Sequence, residues 1–185
     1  MQRFFIPLLL VLLSQPGYAV EEDWTNAATI KASDLPADPP RFEDFPARPL
    51  FKGKPAAPDV RSHPRSRMFR TMIRYGAKAG ANFAGHYSIV RWGCGSGCLM
   101  LAIVDEKTGH VYHPENLGTV DFTNIDFDTF AKQGSTDDLV TYHPDSKLIS
   151  VIGAINEDSG LRGISYFVWE NNKLRRIRFV HKPYE

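Results

Sequence analysis

The sequence predicts an α+β fold, mainly antiparallel β: a β-meander of about six to eight strands, preceded by one amphipathic helix and a Pro-rich N-terminal arm. Three observations carry this. Short apolar runs rich in β-branched and aromatic residues recur from His86 to His181, separated by tight turns, as in strands that pair with their sequence neighbours. Residues 64–79 instead repeat their apolar groups at helical spacing. Helices and strands do not alternate, which argues against a doubly wound parallel sheet.

At the N-terminus, Arg3 precedes a run of about ten apolar residues, Phe4 to Leu13, broken only by Pro7. Ser14-Gln15-Pro16 and Gly17-Tyr18-Ala19 follow, so residues 1–19 have the three parts of a cleavable secretory signal peptide. A spanning helix needs roughly 20 apolar residues, twice this run, and no later segment is long or apolar enough. The expectation is a periplasmic or secreted protein starting at about Val20, with no transmembrane segment after cleavage.

Residues 20–60 read as a Pro-rich extended arm, and residues 61–185 as a single α+β domain. Eight of the thirteen prolines fall between Pro36 and Pro64, and proline removes backbone donors and favours extended chain. No regular structure is expected before about residue 60. Phe42, Phe45, Leu50 and Phe51 are the residues that would hold the arm to the domain.

His63-Pro64 opens the helix, because proline suits a first turn whose N–H would be unpaired anyway. Met68, Phe69, Met72, Ile73 and Ala77 form the expected buried stripe, with Arg65, Arg67, Arg70 and Arg74 largely off it. Gly76 weakens the last turn and Gly80 ends it. Strands follow at His86–Trp92 and Leu99–Val104, then the turn Asp105–Gly109 and its partner His110–Tyr112. A helical turn or loop is expected over Phe127–Lys132. Leu139–Tyr142 and Lys147–Ala154 flank the turn Pro144-Asp145-Ser146, and Gly163–Trp169 and Lys173–His181 flank Asn171-Asn172. Ile164–Trp169 is apolar on both faces. That fits a central strand or, alternatively, an aromatic platform flanked by Arg176 and Arg178.

Twenty-two Lys and Arg against 21 Asp and Glu give a net charge of +1. Near-neutrality argues against a general polyanion binder, and no nucleic-acid partner is expected. The charges are nonetheless blocked. No acidic residue lies between Asp59 and Asp105, a stretch holding Arg61, Arg65, Arg67, Arg70, Arg74, Lys78 and Arg91, whereas Asp105 to Asp138 is acidic. The blocks either neutralise each other across the fold or leave a basic surface. Arg65, Arg67, Arg70 and Arg74 are then a candidate anion-docking face.

The two cysteines stand as Cys94-Gly95-Ser96-Gly97-Cys98. In an oxidising compartment such a pair is a disulfide. On a straight strand, positions four apart sit roughly 13 Å from each other, so a bond requires a bulge or tight turn, which the glycines permit. Closing so small a loop is worth about 2 kcal/mol. Three other readings stay open: a redox-active thiol pair, a Cys94 or Cys98 nucleophile with His86 as base, and a metal site with His86 or His110. No Gly-Lys-Ser/Thr follows, so the glycines are not a phosphate loop. His86, Tyr87, Trp92, Gly93, Gly95, Ser96 and Gly97 form the candidate interaction loop. Among weaker signals, Asn124, Asp126 and Asp128 would share one face if they lay on a strand, near Asp121, as calcium ligands need, but the loop glycine and distal Glu of the standard calcium loop are missing, and a solvated acidic turn is the expectation. His143 reads as a turn residue. Glu157 and Asp158 would pair with Arg162. No catalytic residue, metal or cofactor is assigned.

The segments Asn82-Phe83-Ala84-Gly85-His86-Tyr87, Trp92–Cys98, Asp105, Thr108-Gly109 and Val111-Tyr112 resemble an uncharacterised family of small exported bacterial proteins. The resemblance implies a bacterial, extracytoplasmic protein and brings no reaction, substrate or catalytic residue with it. The functional expectation is therefore a non-enzymatic binding or accessory module of the bacterial envelope with a disulfide-stapled loop. Its partner would be a protein, a glycan or an anionic polymer. The alternative is a cysteine-dependent hydrolase or thiol-disulfide enzyme using Cys94, Cys98 and His86.

Overall fold

The computed structural model describes residues 28–130 and 136–184, so the expected signal peptide, the start of the arm and the end of the Phe127–Lys132 segment lie outside the described residues. The apolar runs build one antiparallel sheet from β1 (Tyr87–Gly95), β2 (Cys98–Asp105), β3 (Val111–Tyr112), β4 (Thr119–Asp121), β5 (Val140–Tyr142), β6 (Leu148–Ile155), β7 (Arg162–Glu170) and β8 (Lys173–His181). The spatial order is β1-β2-β4-β6-β7-β8, with β3 added to β2 and β5 to β6. This is the α+β, mainly antiparallel class that the periodicity predicts, and the strands follow in chain order apart from the two short side strands.

Side chains alternate across a strand, and β1 and β2 use both faces. Ile89, Leu99, Leu101 and Ile103 face the main core, while Val90, Trp92, Ala102 and Val104 face a second core under the helices. β7 is buried from Arg162 to Trp169. It is a central strand between β6 and β8, so Ile164–Trp169 is no exposed platform.

The expected helix over 64–79 is two helices, α1 (Pro64–Met68) and α2 (Arg70–Ala77), divided at Phe69 with φ −101° and ψ 21°. The His63 imidazole caps α1 by accepting from the Arg65 N–H at 3.2 Å. The buried stripe also differs from expectation. Ile73 and Ala77 are buried and Phe69 partly so, but Met68 and Met72 point outward. The sequence places five apolar residues at compatible spacing, and a helix lying on a sheet buries only one side of them. Gly76 is needed because a Cβ there would lie 2.4 Å from Val90 Cγ1. Its missing side chain lets α2 settle on β1.

From Ile30 to Val60 the chain forms two short 3-10 turns, Ala32–Asp34 and Phe42–Asp44, and isolated bridges such as Ile30 to Ile125 and Pro46 to Ser146. It lies on the domain rather than apart from it: Ile30, Ala47 and Val60 are core residues. Arg162 is fully buried and donates to the carbonyls of Lys182 (2.8 Å), Ala28 (2.7 Å) and Asn124 (2.8 Å). It thus ties the incoming arm, the turn after β4 and the end of β8 together. This corrects the expected pairing with Glu157 and Asp158, since Asp158 instead caps the Gly160 N–H at 2.8 Å. The acidic stretch around Asn124, Asp126 and Asp128 is a turn, as expected, and not a strand with ligands on one face: Asn124 has φ 54° and Asp128 lies in a single helical turn, Phe127–Phe130. His143 is in a turn, as expected, and stacks on Phe42 at 4.0 Å.

Candidate functional site

The sequence groups His86 to Gly97 as one loop. The structure spreads it along a hairpin. At the tip, Gly95 pairs with Cys98 across the Ser96-Gly97 turn, and Cys94 sits in the bulge between Gly93 and Gly95. Gly97 adopts φ 70°, the left-handed geometry such a turn demands. Cys94 and Cys98 are joined, with their Cα atoms 5.2 Å apart. The Gly97 carbonyl accepts from Phe122 at 2.7 Å, which fastens the tip to the end of β4. Gly93, Gly95, Ser96 and Gly97 are exposed.

Trp92 does not belong to that surface. It is 5% exposed and packs on Phe69 at 4.9 Å between β1 and the helices. His86 and Tyr87 lie at the other end of β1. Eight residues of extended chain separate His86 from Cys94, about 25 Å. The cysteines are neither free nor near an imidazole base, so the geometry for cysteine catalysis with His86 is not assembled.

The His86 end is a site in its own right. Ala84 (φ 44°) and Gly85 (φ 84°) reverse the chain, and the Tyr87 N–H returns to the Phe83 carbonyl at 2.9 Å. This turn sets His86 beside Tyr87, ring centroids 4.1 Å apart, with its Nε2 3.9 Å from Asp105 Oδ1. Burial and the Lys107 ammonium lower the His86 pKa, against the opposing pull of Asp105. Tyr87 donates its hydroxyl to Asn172 Oδ1 at 2.8 Å, and burial raises its pKa. Tyr87, Tyr112 and Trp169 meet edge to face. Two adjoining hollows share Ala84, His86 and Lys147. One is about 390 Å³, walled by Tyr87, Trp169, Glu170, Asn171 and Asn172. The other is about 240 Å³, bordered by Arg48, Lys107 and Gly85.

Below His86, Ser88 Oγ contacts the Gly80 carbonyl at 2.5 Å and also Glu106 Oε1. Burial raises the Glu106 pKa, against the opposing effect of its contact with the Ser88 hydroxyl.

The outer face of α1 and α2 is unlike the rest of the surface. Met68 is 72% exposed, Met72 44% and Tyr75 77%, and their spacing puts them on one side of the helices. Arg67, Arg70 and Arg74 are exposed along the flank of this stripe, and among the described residues no carboxylate pairs with them. Arg65 leaves the expected set: it is half-buried and donates to the Gly118 carbonyl at 3.4 Å.

One pair was not foreseen. Ser66 Oγ lies 2.8 Å from His113 Nε2, 47 positions apart, with no local signal to announce it. Ser66 is fully buried and His113 Nδ1 has no partner among the described residues, so the third group that would orient a base is missing. Burial, His63 and Arg65 lower the His113 pKa to about 4. No group of three His, Cys, Asp or Glu gathers to hold a metal among the described residues. No helix among them is long and apolar enough to cross a membrane. In comparisons with known proteins, no family model, no curated protein and no solved structure matches the chain.

Proposed function

We propose that this chain is an exported, non-enzymatic module of the bacterial envelope that docks on an anionic lipid surface through the outer face of α1 and α2. The observation that carries this reading is the coincidence of Met68, Met72 and Tyr75, exposed side by side, with Arg67, Arg70 and Arg74, which pair with no carboxylate among the described residues. Protruding apolar tips bordered by arginines suit an interface in which the tips enter the acyl boundary and the guanidinium groups hold headgroup phosphates. The opposite side of α2 is occupied by its own sheet through Ile73 and Ala77, so docking needs no rearrangement.

Each basic residue close to an anionic leaflet contributes about 1 kcal/mol. Three give about 3 kcal/mol, enough for reversible and salt-sensitive attachment. Export is supported by the apolar N-terminal run and by a closed cysteine pair, which suits an oxidising compartment. The joined sulfurs, a strand-length from His86, favour a binding role over cysteine chemistry.

Vesicle co-sedimentation tests the reading. The protein should pellet with vesicles of equal parts phosphatidylglycerol and phosphatidylcholine and stay in solution with phosphatidylcholine alone. Binding should fall steeply as salt rises from about 0.05 to about 0.5 M. Substituting Arg67, Arg70 and Arg74 together by Gln should abolish it. Equal binding to both vesicles, or capture only by an acidic protein partner, would overturn the proposal.

A further inference from the structure

We infer that the hollow between the end of α2 and the arm segment 55–58 binds a single-chain anionic amphiphile, an alkyl chain ending in a carboxylate or phosphate. The hollow shares Arg74 with the lipid-docking face. Soluble monomers probe it without vesicles, so either proposal can fail alone.

Its floor is apolar. Pro55, Ala56, Ala57 and Pro58 form one wall. Ala77, with Arg74 and Lys78, forms the other, around a volume of about 360 Å³, within the range of small-molecule sites. The polar backbone groups of the arm wall are spent elsewhere. Its two prolines have no N–H. The Ala56 N–H donates to the Glu106 carbonyl at 2.9 Å, and the Pro58 carbonyl accepts from the Val60 N–H at 3.0 Å. The Ala57 carbonyl faces Gly109, where a Cβ would lie 2.2 Å from its oxygen. The Asp59 N–H donates to the Gly109 carbonyl at 2.7 Å, so the turn after β2 holds this wall in place. Side-chain carbon is what remains for the hollow. A peptide, sugar or base would leave polar groups unpaired against it, which is costly. An alkyl chain brings none.

Its rim is cationic. Arg74 and Lys78 stand one helical turn apart, hence on one side of the helix, and both are exposed. No acidic residue lines the hollow, and neither cation pairs with a carboxylate among the described residues. The acids beside the arm wall are engaged. Asp59 accepts from the N–H groups of Arg61 and Ser62 at 2.9 and 3.3 Å, and Glu106 is fully buried against Ser88. A helix C-terminus ordinarily repels an anion through its free carbonyls. Here the last turn uses them: the N–H groups of Lys78, Ala79 and Gly80 donate to the carbonyls of Tyr75, Gly76 and Ala77 at 3.3, 3.3 and 3.1 Å. Two cations without a counter-ion beside an apolar floor match a molecule with one charged end and one chain. A small anion would leave the floor unused, and a neutral apolar ligand would leave the cations unused.

The test is a two-dimensional amide NMR titration of the disulfide-intact protein with octanoate, octyl phosphate, acetate, octyl glucoside and octyltrimethylammonium, each below its micellar concentration. Octanoate or octyl phosphate should shift the amides of Ala56, Ala57, Ala77 and Lys78, and the tighter of the two identifies the head group. That ligand should bind at least about fivefold tighter than acetate, octyl glucoside or the cationic surfactant. Lys78→Gln, a change at an exposed side chain, should weaken it about fivefold, and Lys78→Arg should retain it. Acetate binding as tightly would reduce the site to a bare anion contact and overturn the inference. Octyl glucoside or the cationic surfactant binding as tightly would reduce it to an apolar patch and overturn it equally. So would shifts confined to Met68, Met72 and Tyr75, an unchanged affinity in Lys78→Gln, or no shifts at all.

Discussion

Arg162 shows how a single residue can organise distant chain. Its guanidinium is fully buried, meets no carboxylate among the described residues, and donates through its two terminal nitrogens to backbone carbonyls from three separate segments. A buried charge that loses its partners is costly, and so is the converse, carbonyls that lose their donor. Arg162→Met should lower unfolding free energy by about 3 kcal/mol or more, measured by urea denaturation. The sequence points to Glu157 and Asp158 as partners because charges nearby in sequence are the visible ones. The carbonyls that satisfy Arg162 belong to residues as far away as Ala28, and carbonyls leave no mark in a sequence. His113 makes a second residue-scale prediction. Its folded pKa, about 4, is below the ordinary 6.5, so the unfolded chain binds a proton that the folded one refuses. Stability should be complete above about pH 6.5 and fall as the pH drops toward 4, by about 2 kcal/mol after allowance for partial exposure. In His113→Gln, which retains an acceptor for Ser66, that part of the pH dependence should vanish in paired denaturation curves at pH 7 and 4.5.

At the scale of elements, the β1–β2 hairpin was the most legible part. The β-branched and aromatic content of His86–Trp92 and the apolar run Leu99–Val104 announced both strands, and Gly-Ser-Gly between cysteines announced a turn tight enough for a bond. The bond closes a very small loop, so it staples the tip rather than the sheet. Replacing Cys94 and Cys98 together by Ser should cost about 2 kcal/mol. Amide NMR shifts should be confined to the tip and to the end of β4 bonded to Gly97. Changes spreading through β6 and β7 would show that the staple does more than that. The helix was legible as a helix but not as a surface. Met68, Phe69, Met72, Ile73 and Ala77 all fit a helical stripe, and only contact with Val90 and Trp92 decides which of them is covered. The break at Phe69 likewise has no local signature, since neither Gly nor Pro stands there.

For the whole molecule, class and strand order followed from short turns between apolar runs. The short strand β4, which bridges β2 and β6, and the packing of residues 28–60 onto the sheet did not, because these depend on pairings between segments far apart in sequence. The hollows around His86 have the same origin. His86 and Tyr87 stood out in sequence, but Lys147, Trp169 and Asn172 join them only through the sheet. The molecule carries separate faces: a helical one bearing arginines and apolar tips, a stapled tip, and a polar cleft at the far end of the hairpin. Docking through the helical face fixes its orientation on a surface. Paramagnetic quenching by a spin label in the acyl chains of phosphatidylglycerol-containing bicelles tests that orientation directly. Signal loss should concentrate at Met68, Met72 and Tyr75, with the amides of residues 84–87 and the hairpin tip spared. Uniform quenching, or quenching centred on the tip or the cleft, would contradict it.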